Sequence, residues 1–194
     1  MNNKKFDTQK LQRLNNPRRL IDIPPDYIWN KLNIKRADVL VEIGAGTAFF
    51  SIALLQQANA LKVNACDISE VMIDWIKENI VPEYPNIIPV KTQEDSIPLE
   101  DEIADLVFTI NLQHELENPL KSLKEAYRIL KPGGKFFIVD WKKENSNEGP
   151  PVKIRCCPED IKEQLRKSGF KQINIFNKLS KHFLLIAKKE YSFI

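Results

Sequence analysis

The sequence has little cysteine, little glycine and no long apolar run. Its 194 residues include three cysteines, Cys66, Cys156 and Cys157, with no Cys-x-x-Cys spacing. That argues against a disulfide framework of the secreted type, and a reducing, cytoplasmic setting is expected. No stretch approaches the roughly 18 apolar residues that a membrane-spanning helix needs, so no membrane association is expected. The opening residues MNNKKFDTQK contain no apolar core of a secretory signal. Net charge is only +3, too small to argue for a nucleic-acid partner. At this length one domain can bury a core without a covalent or metal staple.

The charge is unevenly placed. Residues 1–38 hold nine basic and four acidic side chains, residues 39–141 eight and sixteen, and residues 142–194 twelve and six. An acidic centre lies between two basic ends. The plain reading of this pattern is solvated surface; the sharper one is a centre that tolerates a cationic ligand and ends that face something anionic.

The first 25 residues are polar, end in Pro24-Pro25 and read as an arm on the domain. A short helix over 26–33 follows, with Asp26 as its cap. From residue 39 apolar strand segments alternate with helical ones. Strands are expected at 39–43, 62–67, 87–92, 103–110 and 135–141. Helices are expected at 47–58, 69–80 (with Ser69 as cap) and 117–131, the last stopped by Pro132-Gly133-Gly134. This alternation implies a parallel sheet with right-handed crossovers. After a helix over 158–170, segments 170–178 and 182–189 are separated by only Leu179-Ser180-Lys181. So short a connection cannot hold a crossover helix, so these strands form an antiparallel hairpin. The polar stretch 142–157 is read as a loop acting as a lid.

Chemistry concentrates at the first strand–helix junction, VEIGAGTAFF. Gly44 and Gly46 permit a tight turn and a close ligand approach. A dinucleotide fingerprint requires Gly or Ala where Phe49 stands, and no Gly-Lys-Ser/Thr exists for a phosphate loop. Instead Glu42 precedes the loop, and Asp67 ends the second strand 21 residues after Gly46. A carboxylate at the entrance repels a diphosphate and suits an ammonium or sulfonium. Asp67 can accept hydrogen bonds from two ribose hydroxyls.

In order, VLVEIGAGTAFF, NACDIS, SIPLEDEIADLVFTINLQHEL and ILKPGGKFFIVDWKK resemble the motifs of class I S-adenosylmethionine-dependent methyltransferases, over about residues 35–190. The arm KFDTQKLQRLNNPRRL resembles that of a small-molecule-methyltransferase-like subgroup. The resemblance implies a Rossmann-like, doubly wound α/β fold with a seven-stranded, mostly parallel sheet and an antiparallel terminal hairpin. It implies an arm and helix over 1–34 covering the site, and a domain over 35–194 binding S-adenosyl-L-methionine. It further places Glu42 near the methionine amino group and Gly44, Ala45 and Gly46 along the methionine end. Asp67 falls on the ribose, Ile68 and Met72 on the adenine, Gln93 and Glu94 on the adenine edge, and Asn111 beside the cofactor. Two departures stand out: the family often has Asp-Ala where Gln93-Glu94 stand, and glycine where Ala48 stands. Alanine suits that position if its φ is negative.

His114, just past the fourth strand at the carboxyl edge of the sheet, is the candidate catalytic residue, read as a general base or a group orienting the nucleophile, with the alternative that it only lies over the cofactor and closes the site. His182 is read as a surface or core residue. Cys156 and Cys157 point to opposite faces of an extended segment, and no metal site is expected. The acceptor is expected to be a small molecule and not a nucleic acid. The alternatives are an RNA or protein methyltransferase using Arg13, Arg18 and Arg19 on phosphates, or a non-catalytic cofactor binder. Strand four ends in Asn111-Leu-Gln-His, unlike the Asn/Asp-Pro-Pro-aromatic ending of many base-amine methyltransferases.

Overall fold

The computed structural model describes residues 8–191, so the first seven residues of the arm lie outside it. Seven strands form one sheet, ordered β3-β2-β1-β4-β5-β7-β6. They are β1 Val39–Ile43, β2 Lys62–Asp67, β3 Ile87–Lys91, β4 Ala104–Ile110, β5 Leu130–Trp141, β6 Lys171–Phe176 and β7 His182–Lys188. The first five run parallel, and β7 is antiparallel to both β5 and β6. The short 179–181 connection therefore does make a hairpin, and the fold is the expected α/β sheet.

Among the described residues seven α-helices surround the sheet: α1 Thr8–Leu14, α2 Arg18–Asp22, α3 Pro25–Leu32, α4 Phe49–Ala58, α5 Glu70–Asn79, α6 Pro119–Ile129 and α7 Pro158–Lys167. Alternation along the strands sorts the core into two faces. Val41, Val107, Phe136, Ile138 and Leu185 face α6 and α7 through Leu123, Ala126, Ile161 and Leu165. Leu40, Leu106, Phe108, Phe137 and Leu184 face α3 and α4 through Ile28, Leu32, Phe50 and Leu54. The arm joins the second face through fully buried Ile23.

Several boundaries differ from the sequence reading, each for a local reason. Helix α3 begins at Pro25, with Pro24 at the cap position and Asp26 in the first turn. A proline φ is preset for that first helical position. Ser69 occupies the cap of α5, but its side chain makes no cap bond. Ala48 has φ 58, left-handed rather than negative, and α4 starts only at Phe49. That conformation costs alanine about 1–2 kcal/mol. Complete burial of its methyl group offsets part of the cost.

Strand β5 starts five residues earlier than expected. Ala104 pairs with Leu130 and Leu106 with Lys135, so residues 131–134 bulge opposite Asp105. Gly133 supplies φ 85 there. A Cβ on Gly134 would lie 2.9 Å from the Lys131 carbonyl oxygen. The glycine pair thus re-aims a strand rather than only ending a helix.

The 142–157 segment, read from the sequence as a lid, is braced internally. The buried Arg155 guanidinium donates to the carbonyls of Lys142, Glu144, Glu148 and Pro150 and to Ser146 Oγ. It also lies 5.5 Å from the Trp141 ring.

Candidate active site

At the carboxyl ends of β1, β2 and β4 a cleft of about 330 Å³ opens. All ten residues expected to bind a cofactor line it: Glu42, Gly44, Ala45, Gly46, Asp67, Ile68, Met72, Gln93, Glu94 and Asn111. His114 does not. It lines a second chamber of about 910 Å³, and Leu14, Arg19, Asn111 and Glu115 are common to both cavities.

The glycine loop has already committed its donors. Gly44 N and Ala45 N both donate to the Cys66 carbonyl, at 2.8 and 2.9 Å, and Gly46 N donates to Asp67 Oδ2 at 2.8 Å. The three amides of the Gly44-Ala45-Gly46 turn are therefore not free to cradle a diphosphate. The other Asp67 oxygen accepts the Ser69 amide at 2.8 Å. Two backbone bonds thus hold the carboxylate facing the cleft, while each oxygen keeps a second lone pair.

Glu42 is 2% exposed and accepts from the Ser51 hydroxyl. Burial pushes its carboxyl up to about 8, although Ser51 and the Arg19 charge pull it down. Arg19 rides over the Phe50 ring at 4.6 Å and donates to the Leu14 carbonyl. Leu14 in turn covers Gly46, 3.6 Å from where a Cβ would stand. Asn111 is held at φ 58, its N–H bonded to Val139 O, and its buried Oδ1 has no partner. Glu94 accepts the Asn118 amide at 2.7 Å, which ties the 92–95 loop to the start of α6.

These features fit an adenosine-bearing cation. Glu42, Asp67, Glu94 and Glu115 line the cleft against a single guanidinium, Arg19. The unpartnered Asn111 oxygen awaits a donor.

The comparisons agree with that geometry. A protein family described as a methyltransferase domain matches residues 41–138. The chain belongs to this methyltransferase family. It is similar to the uncharacterized methyltransferase YdaC of Bacillus subtilis, with 26% identity over 75% of this chain and 78% of that protein. It is also similar to demethylmenaquinone methyltransferase of Staphylococcus epidermidis, with 29% identity over 69% of this chain. The methyltransferase spans little more than half of that relative, 56% of its length. A crystal structure of a SAM-dependent methyltransferase from Aquifex aeolicus superposes with TM-score 0.85 and 29% identity, covering 95% of this chain and all of that one. The methyltransferase therefore uses S-adenosylmethionine.

The second chamber contains what the sequence reading missed. His114 sits in a 3₁₀ turn, Gln113–Glu115, with its Nδ1 2.7 Å from Asp140 Oδ1. Asp140, the penultimate residue of β5, is fully buried and also accepts the backbone amides of His114 and Trp141. Burial lowers the His114 pKa, but the Asp140 bond and the Asp140 and Glu115 charges outweigh it, so the net shift is upward. His182 is 2% exposed, and neither ring nitrogen has a partner. Burial pushes its pKa down to about 4. One signal for Asp140 was available: a lone charge closing the apolar run KFFIVD. Arg19 and Leu14 had none as lining of the cleft, since the docking of the arm is a tertiary event. Among the described residues no helix is long and apolar enough to cross a membrane.

Proposed function

We propose that this enzyme methylates a small molecule carrying an ionisable O–H, S–H or N–H, seated in the His114 chamber. The observation that carries the reading is the shared wall. The cofactor cleft and the chamber meet at Leu14, Arg19, Asn111 and Glu115, and the buried His114 lines the far side. The demethylmenaquinone methyltransferase relative acts, by its name, on a small molecule, which agrees.

S-adenosylmethionine would supply an electrophilic methyl group on a cationic sulfur whose leaving form is a neutral thioether. Glu42 would receive the methionine ammonium, Gly44, Ala45 and Gly46 would pack along that end, and Asp67 would accept from the ribose. Ile68 and Met72 would flank the adenine, and Gln93 and Glu94 would meet its edge. The arm over 1–34 would roof both cavities, with the 35–194 domain beneath. His114 Nε2 would take the acceptor's proton as the nucleophile engages the methyl group, and Asp140 would hold the ring. Alignment in the shared opening supplies most of the acceleration, since positioning can be worth ~10⁵–10⁸ M in effective concentration. The base adds a smaller factor, of order 10²–10⁴.

The test is S-adenosylhomocysteine production from a cell extract split by dialysis. Turnover in the small-molecule fraction, unaffected by ribonuclease and protease, is expected. Turnover confined to the retained macromolecules and lost on digestion would refute the proposal.

A further inference from the structure

The chamber carries an excess of unpaired positive charge at its rim. Of its acidic lining residues, Asp22 and Glu148 both bind Lys181 Nζ, at 3.0 and 2.7 Å. Glu115, shared with the cofactor cleft, lies 3.8 Å from His114 Nε2. Arg13, Arg18 and Arg19 also line the chamber, and among the described residues none of them forms an ion pair. Arg13 and Arg18 belong to the chamber alone, whereas Arg19 is shared with the cleft.

The chamber also holds a second, independent sign of a ligand. His182 lines it, almost fully buried, with both nitrogens unsatisfied. A buried polar group without a partner costs about 1–3 kcal/mol, so such groups persist mainly where a ligand or water satisfies them. With its pKa held low by burial, His182 is neutral at physiological pH and offers one donor and one acceptor.

Resting on the methyltransferase reading above, we propose that the acceptor is an organic anion. Its carboxylate or phosphate is held by Arg13 and Arg18 at the rim, its interior polar atom by His182, and its nucleophile lies toward His114. The carboxylates that face the cofactor cleft keep such an anion from entering the wrong cavity. A planar guanidinium suits either oxyanion, because both present paired oxygens.

The chain has two histidines and both line this chamber, so their ring Hε1 resonances report its occupancy directly. The probes are benzoate, its neutral isostere benzamide, and phenyl phosphate, added to the protein bound to S-adenosylhomocysteine. The two anions are expected to shift the His182 signal and to bind about tenfold tighter than benzamide, on the scale of two exposed charge contacts. Benzoate against phenyl phosphate then tells carboxylate from phosphate. The preference should vanish in Arg13→Ala/Arg18→Ala and invert in Arg18→Glu. S-adenosylhomocysteine affinity, measured separately by calorimetry, checks both the fold of the variants and the cofactor reading. Equal affinity for benzoate and benzamide, an anion preference that survives loss of both arginines, or histidine signals that no probe moves would overturn the proposal. A neutral quinol as acceptor predicts the first of these outcomes.

Discussion

His114 Nδ1 lies 2.7 Å from Asp140 Oδ1, a contact that spans 26 residues of chain and joins the turn after β4 to the end of β5. A carboxylate only accepts, so Nδ1 carries the proton and Nε2 is left as the acceptor. Asp140 thus sets both the tautomer and the basicity of the proposed base. The raised His114 pKa has a definite sign. The stability this pairing adds is present below the ordinary histidine value and is lost as pH rises through the raised one. Catalysis follows the opposite sense, because only neutral His114 accepts a proton. The Hε1 titration midpoint of His114 is expected above 6.5, with the acid limb of kcat/KM at the same pH. In Asp140→Asn both should move to lower pH, and the rate plateau should fall by roughly 10²-fold. A purely structural role for Asp140 predicts a lower plateau with an unmoved midpoint.

Asp67 is held by the Gly46 and Ser69 amides, so its removal also frees the loop. Two ribose hydroxyls bonded to a carboxylate contribute about 1.5 kcal/mol each. Asp67→Ala should therefore weaken S-adenosylmethionine binding by roughly 100-fold in calorimetry. NAD should bind neither protein, since the Gly44, Ala45 and Gly46 amides are already bonded and Glu42 and Asp67 repel a diphosphate. Tight NAD binding to the wild type would contradict the cleft assignment.

Glu42 carries a proton at neutral pH because burial raises its carboxyl to about 8. In the folded state this acid holds its proton more tightly than in the unfolded chain. Its contribution to stability is full below about 4.5 and declines as pH rises toward about 8. A methionine ammonium beside it would reverse the preference and expel the proton. Calorimetry in two buffers of different ionisation enthalpy should show release approaching about one proton per S-adenosylmethionine at pH 7. Glu42→Gln should abolish the release, weaken binding and flatten the decline of Tm over that pH range. Proton uptake on binding would disprove the assignment.

Arg155 binds five oxygens of its own loop and so builds the wall that carries Glu148 and Gly149 into the chamber. Arg155→Met keeps a stem against Trp141 but removes every donor. Charge-assisted bonds contribute about 1.5–3 kcal/mol each, and most of the freed carbonyls regain water, so a net loss of about 3 kcal/mol is expected. Tm should fall by roughly 6–12 °C, and trypsin should cut first at Lys142 or Lys143. First cuts elsewhere, at unchanged Tm, would show that the loop is held by other contacts.

Much of this was legible in the chain. Apolar alternation, short connections and one three-residue link specify the sheet and its hairpin, because these are local patterns of period and length. The glycine loop with Glu42 and Asp67 announced the cleft for the same reason: strand ends bring such residues to one edge. The acidic centre and basic ends match the charge of the two cavities, and Arg13, Arg18 and Arg19 stood out in the sequence, though as contacts for RNA phosphates rather than as the lining of a chamber.

The remainder was decided only in three dimensions. The bulge at residues 131–134, the left-handed Ala48, the Arg155 lock, the partnering of His114 with Asp140 and the roof formed by Leu14 and Arg19 are conformations and contacts that no local pattern dictates. Each depends on which surfaces pack together and which polar atoms must find partners once water is excluded. Periodicity records only that a face is apolar, whereas packing decides what lies against it.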